Sequence, residues 1–301
     1  MLDKLYKALL TEKIREHIER TILICAIASF AIHLILIYLV DFKIIEFSEA
    51  SYLLNNPIAA IYTPFSFILL YEVYLLIFYL PKSFTTYIGK QYEIITLIII
   101  RRLFKDLSNL DLQGDWFKVK YDLQFTYDIV TSILIFGLIY IFYKQSKPEL
   151  FNKSLNDNES MSKLKFIKIK KIIALFLVPI FLVLTVYSFT IWLMSVLHPE
   201  DYKHYSFNNI NNIFFEQFFN ILIFADVLVL LFSFFITDEF HKVIRNSGFI
   251  ISTILIRISF STSGLSNNIL IITAIIFGIA ILAIHNKFEK DKRLEISTIE
   301  N

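Results

Sequence analysis

Long apolar runs separated by short polar breaks set the pattern of the chain. Runs near the roughly 20 residues that a helix needs to cross a bilayer are predicted at residues 21–40, 58–80, 86–104, 127–143, 172–193, 218–236, 243–260 and 268–284. Ahead of the first run, Leu2, Leu5, Leu9, Leu10, Ile14 and Ile18 recur at helical spacing with charges between them. That predicts an amphipathic helix over 1–20, lying in the membrane interface. Pro57 and Pro81 bracket the second run, as expected of a residue that interrupts helices, and Pro64 lies in its first turns. A polar, lysine-rich stretch at 144–171 divides the chain into halves with the same plan. The expected architecture is all-α: eight spans, as a first four-span unit over 21–143 and a second over 172–285, with a tail at 286–301.

Composition agrees with the pattern. Apolar residues make up 56% of the chain and charged residues 19%, with a mean hydropathy of +0.62. A soluble domain is about half apolar and a quarter charged. The net charge of +2 offers nothing to nucleic acid. Cys25 is the one cysteine, which excludes an intrachain disulfide or a cysteine-built metal site. No cleavable leader is expected, because the first 20 residues are highly charged.

Charge also predicts an orientation. With the N-terminus in the cytoplasm, segments 1–20, 81–90, 144–171, 237–245 and the tail fall inside and hold most of the lysine and arginine. The outer loops 41–57 and 198–215 hold one lysine each, Lys43 and Lys203. The loop 105–123, with Lys105, Lys118 and Lys120, runs against the bias, and its Trp116 stands where an interfacial aromatic would. Both halves then insert with the same polarity, a parallel repeat. The expected location is the bacterial cytoplasmic membrane, with both termini inside.

The candidate chemistry is a set of charges placed where a span normally excludes them: Glu72, Lys90, Glu93, Arg101, Arg102 and Asp128 in the first half, and Asp226, Arg245 and Arg257 in the second, with Asn268 at the place of Asp128. An ionisable group at the bilayer centre costs roughly 2.5–3.5 kcal/mol on insertion scales, so it should meet a partner or water. Matching depths along the helices predicts the pairs Glu72–Lys90, Arg102–Asp128, Asp226–Arg245 and Arg257–Asn268. Glu93 has no acidic counterpart, since Gly248 stands there.

The four-span unit resembles the PsiE (phosphate-starvation-inducible E) family of inner-membrane proteins. The matching features are Glu72 in span two, Lys90 opening span three, Arg102 twelve residues on, and Asp128 opening span four. A fainter echo runs over 172–285, where Asp226, Arg245 and Arg257 keep the pattern and Asn268 departs from it. The resemblance implies a four-helix bundle, here in tandem, and supplies no mechanism.

Three roles fit the charges: locking each bundle, lining a polar path for ions or protons, or sensing voltage. The last wants arginines at every third position along a helix, and only Arg102 and Lys105 keep that spacing. Phosphate loops, nucleophile elbows and histidine–glutamate metal motifs are lacking, so no catalysis, cofactor or metal is expected. His17, His33, His198, His204, His241 and His285 show no metal-ligand spacing; His33, inside span one, is expected to bridge helices. The expected activity is channel- or transporter-like. The other reading is a stress or defence sensor acting through a partner docked on the linker and tail. Expected contacts are the bilayer, anionic headgroups at the run KLKFIKIKK, and further copies of the chain.

Overall fold

A computed structural model describes residues 2–44, 60–107, 120–146, 157–197, 207–236, 239–262 and 264–299. Trp116, the middle of the linker and parts of both outer loops lie outside these. The described residues form helices α1 (Leu2–Leu9), α2 (Glu12–Asp41), α3 (Tyr62–Tyr79), α4 (Phe84–Leu107), α5 (Lys120–Gln145), α6 (Asp157–Leu197), α7 (Phe207–Phe234), α8 (Phe240–Ser259) and α9 (Leu265–Ile299). Among the described residues, five stretches are long and apolar enough to cross a membrane: Asp3–Asp41, Leu123–Gln145, Leu164–Ser188, Gln217–Phe234 and Leu265–Lys292. The helix Thr63–Tyr79 is apolar but shorter. Phe136, Phe176 and Phe235 are 72%, 69% and 87% exposed. Such a surface is ruinous in water and natural against lipid, which marks the chain as a membrane protein.

The chain divides into two compact units. The first comprises Met1–Phe78 and Glu93–Ile133. Its amphipathic segment is not one helix. It breaks at Leu10 and Thr11, where Thr11 takes an extended conformation and α2 then runs unbroken to Asp41. The break is held from α3: Leu10 is buried, and the Tyr74 hydroxyl donates to the Leu9 carbonyl oxygen at 3.0 Å. The Tyr71 hydroxyl donates to Glu19 at 2.6 Å, and the Arg15 guanidinium lies over the Phe78 ring at 5.7 Å. His33 bonds to Thr63, so it does bridge two helices.

The second unit comprises Tyr79–Tyr92 and Leu134–Asn301. Here α6 packs on α7, α7 on α8, and α8 most extensively on α9. Small residues let α9 approach α8 and α4 closely. A Cβ on Gly248 would sit 2.8 Å from Ile281, and one on Gly278 would sit 2.0 Å from the Tyr92 hydroxyl. This is the small-residue packing of membrane helices. The α8–α9 turn closes with short-range bonds from the amides of Phe260, Ser261 and Thr262 to Arg257, Ile258 and Ser259. It ends at Gly264, whose φ of 72° suits a residue without a Cβ. The lysine-rich end of the linker is the start of α6, a helix of 41 residues. At about 1.5 Å per residue it is about 60 Å long, twice a bilayer's hydrocarbon core.

Candidate functional site

The charged constellation resolves into separate clusters. Glu72, Glu93, Arg101, Arg102 and Asp128 belong to the first unit; Lys90, Asp226, Arg245, Arg257 and Asn268 belong to the second. The two members of the expected Glu72–Lys90 pair thus fall in different units.

In the first unit, Arg102 on α4 grips Asp128 on α5 with a two-pronged fork. Its Nε meets Oδ2, and its Nη2 donates to Oδ1 at 2.7 Å. Bidentate guanidinium–carboxylate pairs are among the stronger polar contacts. Gln124, one turn earlier, donates to the same Oδ1 at 2.7 Å. Asp128 is fully buried, while Arg102 keeps partial exposure. Glu72, midway along α3, is 4% exposed, and its Oε2 has no hydrogen-bond partner among the described residues. The charge of Arg101 acts on it. Glu93 is half-buried.

In the second unit, Asp226 on α7 is 0% exposed and sits at the centre of a network. Arg257 on α8 donates through Nη2 to Asp226 Oδ2 at 2.7 Å and to Gln91 Oε1 at 2.9 Å. The Tyr87 hydroxyl donates to Asp226 Oδ1 at 2.7 Å, and Gln91 Nε2 approaches Oδ2 at 3.4 Å. The Arg257 guanidinium lies over Phe219 at 5.9 Å, and its Nη1 is buried without a hydrogen-bond acceptor among the described residues. Lys170 on α6 is also buried, bonded to the Lys82 carbonyl oxygen and lying over Phe84 and Phe166. Lys90 lies over the Tyr79 ring at 5.4 Å, a cation–π geometry.

This corrects the expected pairing of the second half. Asp226 pairs with Arg257, not Arg245, and Arg257 meets Asp226 and Gln91, not Asn268. The reason is helical geometry. Arg245 and Arg257 are twelve residues apart, which places them about 120° apart around α8. One helix cannot aim both at α7. Arg257 faces Asp226, and Arg245 faces α9. Asn268 is buried near the turn, where its neighbour Asn267 donates to the Ser259 carbonyl oxygen.

Arg245 leads to a cluster that histidine spacing did not reveal. His241 on α8 and His285 and Glu289 on α9 each offer a ligand atom, and these atoms all lie within 4.8 Å of one another. His241 Nε2 is 2.9 Å from Glu289 Oε1 and 3.3 Å from Glu239 Oε2. The two imidazoles stack with centroids 5.2 Å apart. Arg245 Nη1 stands 2.9 Å from His285 Nε2, and its Nε and Nη2 donate to Asn246 Oδ1. Partial burial works to raise the Glu239 carboxyl, but the hydrogen bonds and charges of Lys242 and Lys292 outweigh it and hold it below its usual range. The signal within the sequence was the spacing of His285 and Glu289, four residues apart on one helix face.

No family model, curated protein or solved structure matches the chain.

Proposed function

We propose that this membrane protein is channel- or transporter-like, passing ions or protons through a charged helical interior. The observation that carries the reading is Glu72. A carboxylate buried within an apolar helix, with one oxygen unsatisfied among the described residues, leaves an acceptor that a proton or cation would fill. Glu93, Arg101 and Arg102 share its unit, and Asp226 and Arg257 give the second unit its own buried polar group. The proposal includes eight spans as two parallel PsiE-like repeats, in a bacterial cytoplasmic membrane with both termini inside.

The test is flux into liposomes carrying the purified chain under ion or proton gradients. Glu72→Gln and Glu93→Gln are expected to abolish flux in protein that still folds. Wild-type protein that passes no ion or proton would refute the reading.

A second reading has its own support. Asp128 and Asp226 receive donors on both carboxylate oxygens, as locks of a bundle would. The buried charges are then structural, and the chain is a stress or defence sensor or effector working through a partner. Deleting part of 150–165 from the linker would in that case impair function more than either glutamate substitution.

A further inference from the structure

We propose that the paired ends of α8 and α9 form a binding site for a first-row divalent transition metal of the zinc class, with His241, His285 and Glu289 as ligands. The site rests on its own geometry and stands whether or not the interior conducts.

The donor set selects the metal. Two imidazoles and a carboxylate suit zinc, cobalt or nickel, whereas magnesium and calcium take oxygen ligands. The arrangement is nearly closed already. Glu289 Oε1 and His241 Nε2 are 2.9 Å apart, and all three ligand atoms fall within 4.8 Å. Bonds of about 2.0–2.2 Å to a central ion require ligand atoms somewhat over 3 Å apart, so a small ring rotation of His285 completes the triangle. Glu239 Oε2, 3.3 Å from His241 Nε2, is placed as a fourth ligand or an orienting carboxylate.

The state of His285 is the second observation. A guanidinium has donors and no acceptor, so the Arg245 contact at 2.9 Å makes His285 Nε2 the lone-pair nitrogen. That is the tautomer a metal needs. The other nitrogen, Nδ1, is buried and carries the ring's proton. Arg245 thus stands in the place of a cation. It is held back by Asn246, at 3.1 and 3.2 Å, and can swing away along the same side chain. Loading the site exchanges one cation for another, which lets a partly buried site accept a metal without stranding a new charge.

Detergent-purified full-length protein, its affinity tag removed, would be stripped with chelator and titrated with Co²⁺ and then Zn²⁺. One equivalent of Co²⁺ is expected to give a visible absorption band that Zn²⁺ displaces. His241→Ala, His285→Ala and Glu289→Gln should each lose the band, and His17→Ala should keep it. Arg245→Gln should bind about tenfold tighter, since the metal no longer displaces a charge-assisted hydrogen bond. Zn²⁺ should raise the melting temperature of wild type and not of Glu289→Gln, as binding to the folded state requires. This readout holds even if a histidine variant fails to fold. The absence of a band in both wild type and Arg245→Gln would overturn the proposal. So would a band that survives in a folded His241→Ala/His285→Ala protein.

Discussion

Arg257 donates through one nitrogen, Nη2, to both Asp226 and Gln91, at 2.7 and 2.9 Å, joining three helices at a point closed to solvent. Removing one member of a buried ion pair strands the other, which costs about 3–5 kcal/mol. Asp226→Ala and Arg257→Ala are each expected to destabilise by about that amount. Replacing the pair together, as Asp226→Leu with Arg257→Met, should recover most of it. Thermal unfolding in detergent, arranged as a double-mutant cycle, measures the coupling.

Gly278 faces the Tyr92 hydroxyl, which in turn shares a hydrogen bond of 2.7 Å with Ser252. The ring of Tyr92 is buried and packed edge-on against Phe142, so it has nowhere to retreat. Gly278→Ala should therefore cost about 1–3 kcal/mol, as overpacking does. Adding Tyr92→Phe removes the colliding atom and should return part of the loss. Melting temperatures of the two single variants and the double variant decide this.

Arg102→Lys should behave as a disruptive change despite keeping the charge. A lysine presents a point donor where Asp128 receives a planar fork. The expected loss is about 1.5–3 kcal/mol, the worth of one charge-assisted hydrogen bond. Denaturation of Arg102→Lys beside Arg102→Gln checks it, with the glutamine variant expected to fall further because it removes the positive charge as well as the fork.

Tyr74→Phe removes the donor to the Leu9 carbonyl oxygen at the break between α1 and α2. The global cost should be small, about 0.5–1.5 kcal/mol. Hydrogen exchange at residues 9–12 should rise while exchange in the middle of α2 stays unchanged.

The helices were legible because their apolar runs are long and most of the breaks between them carry proline, glycine or lysine. Arg102 and Asp128 were legible as partners because one stands near the end of α4 and the other near the start of α5, at the same depth. The partner of Asp226 was not. Depth alone treats a helix as a line, and it cannot say which side of α8 an arginine leaves from. Tyr87 and Gln91 escaped for another reason: they are uncharged and sit in an apolar run, so nothing in their identity marks them as ligands of a buried carboxylate. The metal-type cluster needed two signals. The spacing of His285 and Glu289 was present, but His241 joins them through the α8–α9 hairpin, and no count along the chain supplies that step. The break at Leu10–Thr11 was likewise invisible, since the amphipathic pattern continues through it and the cause lies on α3.

Helix α9 carries Gly278 against Tyr92, then His285 and Glu289 beside α8, and then runs on through Lys292 to Ile299 without interruption. Past its apolar stretch, α9 is thus a shaft and not a tether. Torque or tension applied near Ile299 arrives about 30 Å away at the Gly278 contact, where a small rotation would turn a backbone-close face into a collision. A molecule grasping that shaft would be twisting the core of the second unit directly.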